Sequence, residues 1–263
     1  MIATGPNAFE LFGTPHLVVM ALTVIVPIAL AGACGRGRRA RTTRTICWAL
    51  AGMLVINELV VYVHSLATHG AGYFLATKLP LHMCGVGLYL AAYMLIRPGQ
   101  RIYEVAFFWG LAGTLNAIIT PNIESAFPSY DFVQFFITHS GIVAVVLFAT
   151  WGLRMRPRPR GVFYAFLAGN VLVAVVAIAN WLGRTFHSAA PGDWNYMFLC
   201  AKPGGAAGDS PFFFVDWPWY ILALQPVAFV LLWLLYAPFP ICDKLRAWRA
   251  RHGLAQAGGA ERR

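Results

Sequence analysis

TICWALAGMLVINELVVYVHSL (45–66) follows directly on RGRRARTTR (36–44), which packs five arginines into nine positions. A helix over 45–66, at 1.5 Å per residue, covers the ~30 Å hydrocarbon thickness of a bilayer. The arginine cluster assigns the N-terminal end of that helix to the cytoplasm, because short, positively charged loops stay inside. Three further basic clusters lie at 97–101, 154–160 and 244–263. Together the four hold seventeen of the twenty Lys and Arg residues, leaving only Lys78, Arg184 and Lys202 in the alternate connections. Between and beside the clusters lie six more apolar runs, at 16–34, 80–97, 102–120, 134–153, 162–183 and 219–239. The reading is an all-α membrane protein: a seven-transmembrane-helix bundle, N-terminus outside and C-terminus cytoplasmic. It has one domain, 1–243, and a basic cytoplasmic tail, 244–263, expected to lose order beyond its first turn.

Composition agrees. The chain is 59% hydrophobic and 11% charged, against roughly 25% charge in soluble domains. The net charge of +10 is accounted for by topology and by anionic inner-leaflet lipid. No basic motif interleaved with aromatics points to nucleic acid, and none is expected as a partner. The first apolar run has no basic stretch before it and is read as a retained span, not a cleaved signal peptide. Pro80 is expected at the first position of the third helix, where its missing N–H costs nothing. Pro98 and Pro121 follow helix ends. Trp217, Trp219 and Tyr220 form an interfacial anchor. The long outer segment 184–218 is a candidate lid, and no internal repeat of the transporter kind is visible.

Ionisable groups inside a bilayer are costly and mark function or pairing. Cys84 lies roughly 6 Å inside the outer end of its span. His139 and Asn116 fall at similar depths, Gln225 about 9 Å into the seventh span, His64 near the outer end of the second, and Glu58 deeper. The inner halves, such as VGLYLAAYMLI (86–96), carry no ionisable residue. Several helices thus bring polar groups to one outward-facing slab. Each group has two readings. Cys84 is either a small packing residue or a thiol assisted toward thiolate by a helix N-terminus, in which case it needs a base. His82 is about 200° away round the same helix, so His139, from another span, suits that part better; otherwise His139 hydrogen-bonds between helices. His64 is an alternative base or an orienting group. Glu58, beside Asn57, either bonds a neighbouring helix or relays protons. Asn195 and Tyr196 either bind headgroups or make a turn. His16, His69 and His187 are placed at the interface or in loops. Of the five cysteines, only Cys84 and Cys200 share the outer side and could pair. No HxxxH or HExxH spacing points to a metal, and neither a metal nor a cofactor is expected.

Four blocks, LPLHMC (79–84), FFWGLAGTLNAIITPN (107–122), FVQFFITHSGIV (132–143) and DWNYMFLCAKP (193–203), together resemble the YwaF-like bacterial integral membrane proteins, a family related to transmembrane protein 164. Cys84 falls at the cysteine of that family's Pro-x-His-x-Cys block and His139 at the histidine of its Ser/Thr-His block, with Thr138 keeping the hydroxyl. The resemblance implies a plasma-membrane enzyme that transfers or hydrolyses acyl groups of phospholipid or lysophospholipid. In that role Cys84 and His139 are catalytic. Glu58, His64, His82, Asn116, Thr138 and Gln225 support the site, and Asn195, Tyr196 and Tyr220 face the headgroup. The alternatives are a small-solute or ion transporter using Glu58 and the outer histidines, and a non-catalytic lipid-binding protein.

Overall fold

A backbone dissolved in hydrocarbon must satisfy its own polar groups, and helices do so. The computed structural model describes residues 8–34, 40–187, 193–202 and 215–260. Its helices are α1 (Thr14–Cys34), α2 (Ala40–Thr77), α3 (Met83–Ile96), α4 (Gln100–Ala112), α5 (Thr114–Ile119), α6 (Tyr130–Trp151), α7 (Pro159–Phe186), α8 (Trp219–Tyr236) and α9 (Pro238–Ala260). Among the described residues there is no strand, only a bridge between Ala8 and Ser125 that ties the start of the chain to the segment before α6.

Six helical stretches are long and apolar enough to cross a membrane: α1, α2, α4 with α5, α6, α7, and α8 running into α9. The third expected span is different. α3 has only 14 residues, about 21 Å at the α-helical rise. It begins at Met83, because His82 is extended at φ −77°, ψ 150°. Pro80 therefore lies in the connection and not at a first helical position. α2 continues past 66, through a break at Gly70 (φ 81°, ψ 175°), to Thr77. The fourth span is divided at Gly113. The chain after 243 stays helical within α9, which corrects the expectation of early disorder.

Short α3 lies inside the bundle. It packs on α2, α4 and α6, and Leu88, Ala91 and Met94 are buried against Tyr103, Phe107, Phe108, Val145 and Phe148. Non-helical backbone at membrane depth is tolerated when protein covers it, and the 78–82 connection is covered in that way. The outer helices instead turn apolar side chains outward, as Ile25, Leu167 and Leu222 do. In a bilayer those faces meet acyl chains.

At the basic end, buried polar groups are fully consumed. Glu104 accepts from Arg158 Nε (2.8 Å), Arg158 Nη2 (3.2 Å), the Arg158 backbone N–H (3.1 Å) and Gln100 Nε2 (2.9 Å). Arg156 pairs with Asp243 at 2.9 Å and lies over the Phe239 ring. These contacts fasten the connection before α7 to α4 and α9. His16 is likewise buried, contrary to its interfacial placement. Its Nδ1 accepts from Phe12 N–H (3.0 Å) and its Nε2 donates to Ile118 O (2.7 Å), joining α1 to α5.

Candidate functional site

At the opposite end of the bundle, the first turn of α3 opens into a cavity of about 650 Å³. Walls come from α2, α3, α5, α6 and α8, and the roof is the segment 197–199. Eight of the eleven residues singled out above line it: Glu58, His82, Cys84, Asn116, Thr138, His139, Tyr220 and Gln225. Apolar residues such as Val173, Leu224, Ala228 and Leu231 complete the wall.

Cys84 is the second residue of α3. The helix ladder starts with Val86 N–H on His82 O, so the N–H groups of Met83, Cys84 and Gly85 precede it and their positive end faces the thiol. Thr114, at the start of α5, directs its hydroxyl at Cys84 Sγ from 4.0 Å. All five cysteines are free, so the Cys84–Cys200 pairing does not form.

His139 enters from α6. Its Nδ1 lies 2.8 Å from Phe135 O, and a carbonyl can only accept, so Nδ1 carries the proton. Its Nε2 is then an unprotonated acceptor. The ring stacks on Phe135 with centroids 4.0 Å apart. Among the described residues no hydrogen bond joins His139 to Cys84; the two line one cavity. Thr138, next in sequence, accepts from Asn57 Nδ2 at 2.9 Å, and Asn57 also reaches Gln134 O. This seam locks α2 to α6 and fixes the rotation of the helix that presents His139. Tyr62, one turn after Glu58 on the same helix, receives Tyr89 OH at 3.2 Å.

Three expected members lie elsewhere. His64 is exposed and stacks on Tyr130, outside the cavity. Asn195 closes its own turn, accepting from the N–H groups of Cys200 and Ala201 and donating to Ala201 O. Tyr196 is only 1% exposed, its hydroxyl donating to Leu75 O (2.7 Å) and accepting from Leu79 N–H (2.9 Å). Burial pushes its phenol up to about 12, so it remains a donor at any ordinary pH. Neither residue lines the cavity.

They build the roof instead. Asn180, buried in α7, bonds both ways with the Tyr196 backbone, Nδ2 to O at 2.9 Å and N–H to Oδ1 at 3.0 Å. Trp194 N–H reaches Ala76 O, and its ring lies where any Cβ on Gly183 would stand 1.9 Å away. Tyr220 OH donates to Phe198 O and Trp217 Nε1 to Leu199 O. Trp194, Met197 and Phe198 all have φ between 50° and 56°, a left-handed conformation that non-glycine residues adopt only when their surroundings enforce it. The expected lid over 184–218 is, in its described part, a pinned cap; residues 188–192 and 203–214 lie outside the described residues.

Sequence reasoning passed over Lys78, Thr114, Asn180, Met197 and Glu104. Lys78 lines the cavity, and no carboxylate among the described residues lies within ion-pair distance of it. As one of three basic residues outside the four basic clusters, it carried a signal that could have been used. Asn180, a polar residue inside a 28-residue apolar helix, carried another.

The fold and site define a multi-pass α-helical membrane protein with a largely apolar cavity at one end that several polar side chains share. A model of the TMEM164 family matches residues 11–236, and the chain belongs to that family. An uncharacterized protein of Treponema pallidum (strain Nichols) is 26% identical over 238 residues, 88% of this chain and 90% of the relative. No solved structure matches the chain.

Proposed function

We propose that this protein is a lipid-acyl enzyme, an acyltransferase or lipid hydrolase, of the bacterial plasma membrane, and that within the TMEM164 family it groups with the YwaF-like members. The observation that carries the reading is the shared cavity of Cys84 and His139, with the imidazole held in the tautomer that a general base requires. Membrane phospholipid or lysophospholipid is the substrate class. The cavity suits it: polar at the level of Cys84 and His139, apolar along α7 and α8, with the Lys78 ammonium available to a phosphate. α3, with its covered entry, counts as the seventh crossing. With the basic clusters read as cytoplasmic, the N-terminus lies outside, the C-terminus inside and the cavity at the outer leaflet in this proposal.

In this scheme His139 Nε2 takes the Cys84 thiol proton as Sγ attacks the ester carbonyl. The S–C bond forms, the ester C–O bond breaks, and His139 returns the proton to the departing alcohol. A second lipid hydroxyl, or water, then attacks the thioester, giving its proton to His139, and the Cys84 thiolate leaves and is reprotonated. Substrate filling the cavity draws the two side chains together, a tightening that free enzymes commonly await. The α3 N–H groups and the Asn116 amide supply donors to the charged oxygen.

The chemical steps are tested by labelling purified protein in detergent with a lipid-like thiol-reactive probe, using wild type, Cys84→Ala and His139→Ala. The expected result is labelling at Cys84 that collapses when His139 is removed. Equal, slow labelling of wild type and His139→Ala would reduce Cys84 to a buried packing thiol. A through-going transport path lacks a corresponding observation: the cavity lining is confined to one end, and the bundle below it is filled by Met94, Tyr103, Phe107 and Phe108.

A further inference from the structure

The cavity holds two imidazoles, and the protein fixes them in opposite tautomers. His139 donates from Nδ1 to Phe135 O, which leaves a lone pair on Nε2. His82 does the reverse. Its Nδ1 lies 3.2 Å from the Met197 backbone N–H, and an N–H can only donate, so Nδ1 accepts and the proton of the neutral ring resides on Nε2. Both rings line the same cavity, so one presents an acceptor and the other a donor. Neither Nε2 has a hydrogen-bond partner among the described residues.

The structure holds His82 in that state with some force. Met197 is in the left-handed region at φ 55°, and the residue before it, Tyr196, is clamped by Asn180, Leu75 and Leu79. The His82 ring also packs against the edges of Tyr196 and Phe198. A histidine serving only to cap α3 would turn its side chain onto the first-turn N–H groups; His82 makes no such bond. It is held by the roof and not by the helix it precedes.

We propose that His82, through Nε2–H, is a side-chain donor, beside the Asn116 amide, that stabilises the oxyanion when Cys84 attacks an acyl carbonyl, and that the Met197 N–H sets the tautomer that makes it one. This rests on the acyl-transfer reading above. As Sγ bonds to the carbonyl carbon, the C=O π pair moves to oxygen, and the His82 N–H hydrogen-bonds the resulting charge without giving up its proton. On collapse the pair returns to reform C=O, the leaving group departs, and His82 is unchanged. Proton transfer remains with His139 alone. The Met197 backbone is thereby coupled to catalysis through the His82 ring.

The test compares two reactions of the same thiol in the full-length protein in detergent. Acylation by a p-nitrophenyl ester of a fatty acid passes through an oxyanion; alkylation by iodoacetamide needs the thiolate but develops no oxyanion. In His82→Ala, acylation of Cys84 should fall on the order of 10²–10³-fold, as when an oxyanion-hole donor is lost, while alkylation stays within about twofold. His82→Gln, whose amide nitrogen can occupy the Nε2 position, should recover most of the acylation rate; His82→Asn, whose amide reaches only the Nδ1 position, should not. His139→Ala should depress both reactions. Acylation unchanged in His82→Ala would overturn the proposal and leave the Cys84–His139 reading standing. Wild type that alkylates but is never acylated would overturn both. Should the variants fail to fold, ¹⁵N-imidazole spectra of the wild type decide the matter. They should show His82 protonated at Nε2 and His139 at Nδ1, and a Nδ1-protonated His82 would overturn the assignment.

Discussion

The two ends of the bundle bury polar groups to opposite purposes. At the basic end Glu104 is fully buried, and four donors from Gln100 and Arg158 surround it. Tyr103 meets Thr150 and Met155 O there, and Trp109 Nε1 donates to Ala165 O deeper in the bundle. At the cavity end each imidazole spends one nitrogen on the backbone and keeps the other, and Lys78 lines the wall with no carboxylate among the described residues within ion-pair distance. A fully paired buried network rigidifies; a half-paired one is costly unless something completes it. The first end holds the helices together; the second, on the function proposed above, receives a ligand.

The contrast can be broken most sharply at Cys84. Replacing it with Ala should lower turnover of an acyl ester by about 10³-fold or more, with the melting temperature unaltered, as expected for a nucleophile acting with its base as a unit. Assays on matched preparations with a thermal-unfolding control check it. Glu104→Ala should do the converse. It strands the Gln100 amide and the Arg158 backbone N–H, costing about 3 kcal/mol in stability, while Cys84 labelling in the folded fraction stays at the wild-type rate. Parallel denaturation and labelling measurements would reject the division of labour if both properties fell together.

Asn180→Ala lies between the two. It leaves the Tyr196 N–H and C=O without their side-chain partner, costing about 2 kcal/mol, and by loosening the roof should slow ester acylation about tenfold without altering alkylation by iodoacetamide. Gly183→Ala should act in the same direction, because the Trp194 ring must move from a site 1.9 Å from the new methyl; tryptophan fluorescence would report that shift. His64→Ala marks the lower bound. Exposed and outside the cavity, it should change stability by less than about 0.5 kcal/mol and leave labelling untouched. A large loss of activity there would redraw the site.

Much of this was open to reading in one dimension. A fixed rise per residue turns sequence distance from a helix end into depth, and Cys84, His139, Asn116 and Gln225 meet in one cavity. Apolar runs and arginine clusters likewise marked the helices that are long enough to cross. What local pattern could not carry was partnership at a distance. His16 looks interfacial until Ile118, 102 residues on, supplies a carbonyl. Tyr196 looks like a turn residue until Asn180, Leu75 and Leu79 converge on it. Pro80 reads as a helix start because proline is common there, but α3 waits for Met83, and the extended backbone at His82 frees its ring to meet Met197. Glu104 sits between two basic clusters and was lost among the charges beside it.

The pinned cap also has a consequence for traffic. Its bonds run to residues 75–79, to α7, to α8 and to His82, so opening it toward water means breaking several at once. Among the described residues α5 packs chiefly on α4 and α6, and α8 on α4, α7 and α9, while both turn side chains into the cavity. A ligand entering between them arrives sideways, by two-dimensional diffusion in the leaflet. Its effective concentration is a mole fraction of the surrounding lipid, and saturation should follow surface dilution with inert amphiphile, not the volume of the buffer.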